Sequence, residues 1–216
     1  MLVLGLDPSL TNFGWALHET NVPAGNPARC ILRGRWQTPA KMEFVDRYIT
    51  QRERLREIVR VHEPDKVGIE FPIFNAMWSE GMYGLFLYSC EALKTESCDV
   101  VFWTPTQVKA HARELISRPR GWKMDKVDMV EAAKTNTGGG SWNHNEADAY
   151  LVGVLAGRFW QFHEGQIQED ELTPKEVLFF TRVHTFIRGK KAGKTVKTGM
   201  IHREDDRFFA WSSKQE

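Results

Sequence analysis

Near the N-terminus the apolar residues run almost unbroken over Leu2-Val-Leu-Gly-Leu6 and close on one carboxylate, Asp7. Apolar runs of this length, bounded by turn residues, predict buried strands. Pro8, Ser9 and Asn12 supply a turn, and a second strand follows from Phe13 to Leu17. Over Ile31 to Gln37, Arg33 and Arg35 alternate with Leu32 and Trp36, which predicts a third, antiparallel strand. The period then changes. Phe44, Tyr48, Leu55, Ile58 and Val59 recur at helical spacing between Glu43 and His62, with Arg47, Arg52, Arg54 and Arg60 on a solvated face. Pro64-Asp65 ends this helix.

Lys66 to Glu70 is again a short strand that closes on a carboxylate. A loop through Phe74 and Asn75 leads to a helix from about Met77 to Lys94, and Val100 to Trp103 forms another buried strand. Pro105 opens a short helix that carries Gln107, Val108 and Lys109; a basic loop, Arg118 to Gly121, precedes a helix from Lys123 to Lys134. The glycines of Thr135 to Gly140 lack the pattern of a phosphate-binding loop and read as a linker. A last helix runs from Asn145 to Phe159, with Ala147, Leu151, Val154 and Leu155 at helical spacing. His144, Asn145, Glu146 and Asp148 crowd its start. Acids there suit capping as well as ligation.

Charge changes this picture only at the end of the chain. The 216 residues carry a net +1, but residues 177–216 carry +5, which leaves −4 for the first 176. Val177 to Arg203 holds no acid, and Phe179, Phe180, Phe186, Phe208, Phe209 and Trp211 interleave with or follow its bases. Two readings stay open. The segment binds a nucleic-acid strand, with Lys190 and Lys191 among its phosphate contacts, or it is a solvated hairpin around Gly189 to Gly193 whose aromatics pack on the core. No apolar run approaches the roughly 20 residues of a membrane span, and the N-terminus enters a strand directly, unlike a signal peptide. Cys30, Cys90 and Cys98 have no metal-ligand spacing and read as reduced thiols. A cytoplasmic protein, bacterial or made by a phage in its host, with no small-molecule substrate, is the expectation.

The element order, β-β-β-α-β-α-β-α-α, resembles that of the ribonuclease H fold. The expected class is α/β: a mixed five-stranded sheet flanked by helices over residues 1–165, then a basic aromatic C-terminal extension over 166–216. A right-handed crossover sets the ends of the first and fourth strands side by side. Asp7 and Glu70 end those strands, and the last helix can bring Asp148 to the same edge. Convergent carboxylates repel unless a cation lies between them. Oxygen ligands suit Mg²⁺, with Mn²⁺ able to substitute. Two such ions activate a water and stabilise the leaving 3′ oxygen of a phosphodiester.

Several short motifs resemble the RuvC family of Holliday junction resolvases. They are Gly5-Leu6-Asp7-Pro8 with Thr11 and Gly14, Ile69-Glu70, Gln107-Val108-Lys109, Lys126 with Met129-Val130, and Ala147-Asp148-Ala149, in order over residues 1 to about 158. This resemblance implies metal ligands at Asp7, Glu70 and Asp148. The family's fourth ligand lies three residues before the last Asp, where this chain has Asn145. His144 and Glu146 flank it, and the four-residue step from His144 to Asp148 favours His144. The resemblance also implies phosphate contacts by Lys109 and Lys126 and a stacking aromatic near Phe74. Lys123 is a further local base.

The function so implied is a metal-dependent endonuclease that resolves four-way DNA junctions as a homodimer, by paired symmetric nicks that leave a 5′-phosphate and a 3′-hydroxyl. Alternatives are a ribonuclease H-fold nuclease acting on flaps or RNA–DNA hybrids, and a branched-DNA binding protein without catalysis. An actin-like ATPase also uses an Asp before such a turn, but needs a second phosphate-binding lobe for which this chain is too short. The tail beyond about residue 165 has no counterpart in the family, which suits a phage source.

Overall fold

A computed structural model describes residues 1–20, 29–71 and 80–181, and the backbone of four short strands after them. The elements are β1 (Leu2–Asp7), β2 (Asn12–Glu19), β3 (Arg29–Gln37), α1 (Phe44–His62), β4 (Lys66–Glu70), α2 (Glu80–Thr95), β5 (Val100–Trp103), α3 (Pro105–Leu115), α4 (Lys126–Thr137), α5 (His144–His163) and α6 (Pro174–Thr181). Strands β6 (Val183–Thr185) and β7 (Thr195–Lys197) pair antiparallel, as do β8 (Met200–Glu204) and β9 (Phe208–Ser212).

The main sheet has five strands in the order β3-β2-β1-β4-β5. The first three are antiparallel neighbours, while β4 runs parallel to both β1 and β5. The expected mixed sheet is therefore present, and β1 and β4 lie side by side. Their register pairs Leu6 with Ile69, so the next residues, Asp7 and Glu70, leave the sheet at one level.

Side chains alternate between the faces of a strand, and each face of this sheet buries its own core. Leu4, Leu6, Phe13 and Leu17 face Tyr48, Leu55 and Ile58 of α1 and Leu85 and Leu93 of α2. Val3, Ala16, Val101 and Trp103 belong to the other core, with Val108 of α3, Met129 and Ala132 of α4 and the length of α5. Helix α5 crosses β1, β2 and β4.

That crossing is unusually close. A β-carbon added at Gly5 would lie 2.0 Å from the Ala149 carbonyl oxygen, and one at Gly14 would lie 2.1 Å from that of Asn145. At these two strand positions the helix backbone occupies the space that a side chain needs. Glycine is thus the residue that lets α5 rest directly on the sheet.

The opposite face is held by bulk and by charge. Helices α1 and α2 meet through Tyr48 and Tyr88, whose ring centroids are 5.3 Å apart. Arg56 and Arg60 both reach Glu96 at the far end, at 2.7 and 2.8 Å. Of the basic face expected on α1, Arg60 is answered in this way and Arg52 by Glu53 and Glu91, while Arg54 donates to the Gln37 carbonyl. Arg47 is not on that face at all: it is buried and donates to the carbonyls of Ala40 and Met42, which pins the loop before the helix.

Helix boundaries depart from the sequence patterns at α5 and α4. Asn143 caps α5 one turn earlier than the apolar spacing begins, accepting from the Asn145 N–H at 3.0 Å. Helix α4 starts at Lys126 rather than Lys123, because Asp125 accepts from the N–H groups of Val127 and Asp128. The body also continues past residue 165. Phe180 of α6 packs on Trp103 and Phe159, and the almost fully buried Glu176 receives two hydrogen bonds from Arg158 of α5, at 3.0 and 3.2 Å. Among the described residues no helix is long and apolar enough to cross a membrane.

Candidate active site

Asp7 ends β1, Glu70 ends β4, and Asp148 lies in the second turn of α5. The seam at Gly5 and Gly14 fixes how closely that helix approaches the sheet, and so where it presents Asp148. Two polar residues hold the turn after Asp7. Gln51 of α1 is fully buried and donates to the carbonyls of Ser9 and Leu10, at 3.0 and 3.3 Å. Thr38 donates its hydroxyl to the Leu10 carbonyl and its N–H to that of Thr11.

The three carboxylates act on one another. Asp7 keeps part of its surface open, yet protein surrounds it so closely that burial is the main reason its carboxyl is held well above the usual range; Glu70 and Asp148 add repulsion, and Lys126 opposes them. Burial also pushes Glu70 up to about 8, with repulsion from Asp148 and relief from Lys109. Asp148 is raised to about 6 by burial, while Lys109 and Lys126 draw it back. Among the described residues no three His, Cys, Asp or Glu side chains close tightly enough on one point to hold an ion as they stand. The set nevertheless fits a hard cation: all its donors are oxygen, and Oδ1 of Asp148 is buried with no hydrogen-bond donor.

Lys109 and Lys126 therefore stand close enough to the carboxylates to shift them, from α3 and from the first position of α4. The two candidate fourth ligands differ. Glu146 is engaged: it accepts from the Asn143 N–H and pairs with Arg33 at 3.3 Å. Arg33 in turn lies 3.8 Å over the Trp142 ring. His144 has its Nε2 3.4 Å from Nζ of Lys126. Burial, with Lys126 and Arg35, holds its pKa below the ordinary value and so favours the neutral ring.

Lys123 lines a cleft with Lys109. Arg118 of the basic loop is tied down instead, to Glu131 at 2.7 Å and Asp128 at 3.5 Å. Phe74, Lys190 and Lys191 lie outside the described residues. Gln51 escapes a reading of motifs, although a polar residue inside the apolar stripe of α1 is a signal; Gly5 and Gly14 stand in the motifs, but their contact with α5 does not show there.

The architecture is that of the ribonuclease H-like α/β proteins, with acids at adjacent strand ends and on the helix laid across them. No family model matches the sequence. A stretch of 75 residues is 37% identical to the crossover junction endodeoxyribonuclease RuvC of Halothermothrix orenii, covering 35% of this chain and 44% of that one. With the protein of the same name from Allorhizobium ampelinum the identity is 30% over 73 residues, 34% and 41% of the two chains. The chain thus spans less than half the length of these relatives in the aligned stretch. Among solved structures, Thermus thermophilus RuvC superposes with a TM-score of 0.62 at 18% identity, over 76% of this chain and 97% of that one. The yeast mitochondrial Holliday junction resolvase Ydc2 gives 0.52 at 14% identity, over 74% and 78%. This chain is RuvC-like, in fold and in its aligned stretch of sequence.

Proposed function

We propose that the protein is a metal-dependent endonuclease that cuts four-way DNA junctions. One observation carries the proposal: three half-buried carboxylates from separate parts of the chain stand within electrostatic reach of one another at a single sheet edge, together with Lys109 and Lys126. A structural protein gains nothing from such repulsion, whereas a cation and a phosphate together use both sets of charge. A relative's name and a solved complex of T. thermophilus RuvC with its Holliday junction substrate, with a TM-score of 0.59, agree with it.

In this reading Asp7, Glu70 and Asp148 hold the metal, Mg²⁺ by preference, in one or two ions. Bound there, the metal supplies an activated water and charge stabilisation for phosphodiester hydrolysis. Lys109 and Lys126 bind the phosphate and orient it. His144 is the better candidate for a further ligand, since Glu146 is occupied by Arg33 and by the helix cap.

Paired nicks need two sites and therefore two copies. Phe44, Val45 and Ile49 of α1 and Tyr83 and Leu87 of α2, each 41–55% accessible, are the exposed apolar side chains that would meet a second copy in this reading. Ile49→Glu is expected to yield a monomer by sedimentation and to uncouple the two nicks.

The test is parallel cleavage of a four-way junction, a flap and an RNA–DNA hybrid in Mg²⁺ and in Mn²⁺. The junction should be cut, and Asp7→Asn should cut nothing while still binding it. Preferential cleavage of the flap or the hybrid would change the substrate and keep the chemistry. Wild-type rates from Asp7→Asn would remove the site.

A further inference from the structure

Several bases on this chain are answered by acids. Arg52 faces Glu53 and Glu91, Lys66 faces Asp99 and Glu164, and Arg158 faces Glu176. One cleft instead gathers four bases in a single lining. It lies between α3, the loop before α4, and α6, with a volume of about 420 Å³. Lys109, Arg113, Lys123 and Lys175 line it, and no carboxylate does. Lys109 acts on Glu70 and Asp148, and the other three bases have no acidic partner among the described residues.

Unanswered like charges around a concave surface cost energy in the free protein, and they focus a positive potential that attracts a polyanion. The cleft also offers a plane. Trp122 is 47% exposed at its lip, fixed by a 2.9 Å hydrogen bond from its ring N–H to Asp128, with the Arg118 guanidinium 5.3 Å from the ring centre. Asp128 and Arg118 are thus spent on orienting this loop. Lys109 belongs both to the cleft and to the carboxylate edge, because it bears on Glu70 and Asp148. From Lys109, Arg113 lies one turn further along α3, roughly 6 Å away. Lys175 continues the row from α6.

We propose that this cleft binds the backbone of the DNA strand that leads away from the cut, with Trp122 as a stacking surface for a base or sugar. The inference rests on the nuclease reading and adds Arg113, Lys175 and Trp122 to it. Phosphate contacts give affinity with little regard for sequence, and aromatic stacking is equally tolerant. The cleft therefore contributes grip rather than sequence choice.

The double variant R113A/K175A tests it. Affinity for a four-way junction is measured in EDTA at several salt concentrations, alongside melting temperature and single-turnover cleavage at saturating protein with Mg²⁺. Loss of two phosphate contacts should lower the magnitude of the log–log salt slope by roughly 1.8. Affinity at low salt should fall at least tenfold, with melting temperature and saturated cleavage rate unchanged. Shortening the junction arms until they end before the cleft should remove the difference between variant and wild type. Should the double variant melt early, Arg113→Gln and Lys175→Gln singly, each expected to lower the slope by roughly 0.9, take its place. An unchanged slope and affinity in a folded variant would overturn the cleft and leave the nuclease reading intact. Failure of the wild type to cut DNA that Asp7→Asn also leaves whole would overturn that reading, and the cleft with it.

Discussion

The two faces of the central sheet are held in opposite ways. On one, α1 and α2 pack through Tyr48, Leu55, Leu85 and Leu93, with Arg56 and Arg60 closing on Glu96. On the other, α5 meets the strands backbone to backbone at Gly5 and Gly14. Bulky side chains fill space but leave some freedom to shift. Direct backbone contact leaves almost none, since nothing between helix and strand can rotate or repack. The stiff face is the one that carries Asp148. What the contrast teaches is that position is demanded at the candidate site and only stability is demanded behind it.

The largest expected effect breaks the stiff face. Gly5→Val places atoms where the Ala149 carbonyl stands, 2.0 Å from the would-be β-carbon, and has no rotamer that avoids it. Loss of folding, or of cleavage in whatever fraction folds, is the outcome expected by circular dichroism and junction assay. A native melting curve together with wild-type cleavage would show that the seam does not set the site.

Leu55→Ala is the matched lesion on the other face, at a fully buried residue. It should cost about 2–5 kcal/mol by urea denaturation, as large apolar truncations do. Cleavage at 25 °C, well below the lowered melting point, should hardly change. Equal loss of stability and activity would abolish the distinction between the faces.

Acid should probe the seam through His18 of β2, whose buried ring lies against Gly153 of α5. Burial drives its pKa down to about 3 from 6.5. The unfolded chain then binds the extra proton between those values, so His18 contributes fully above pH 6.5 and its contribution is lost as pH falls. The expected loss is about 3 kcal/mol between pH 7.5 and 4.5. The carboxylates have raised values and so respond in the opposite sense. Subtracting the profile of His18→Asn isolates the histidine: wild type should lose more stability on acidification than the variant, and parallel profiles would contradict this.

The smallest effect concerns charge at the site itself. Asp148→Asn removes one of three repelling carboxylates and should raise the metal-free stability by on the order of 1 kcal/mol while eliminating cleavage. A drop in melting temperature would mean that Asp148 supports the fold rather than the chemistry.

Much of this arrangement was legible from residues alone. The strands Lys66 to Glu70 and Val100 to Trp103 stand where their apolar runs begin and end, and the crossover argument set Asp7 beside Glu70. Periodicity could not show the seam. It reports which face of a helix is apolar, whereas the approach of α5 depends on atoms that the glycines lack. Arg47 departs from expectation for a related reason: its charge suggested the solvated face of α1, but nearby carbonyls satisfy it. The reach of α6 into the body was hidden because Glu176 looks like a surface acid until Arg158 is found opposite.

The glycine seam has one further consequence, for divergence among related sequences. Every side chain larger than hydrogen is barred at Gly5 and Gly14, so these positions are closed to drift, and with them the spacing of the strand-end acids and α5. No such bar protects Arg113, Trp122 or Lys175, which lie on surfaces that can be rebuilt residue by residue. Lineages carrying this scaffold are thus free to rebuild the basic cleft, while the carboxylate edge passes down unaltered.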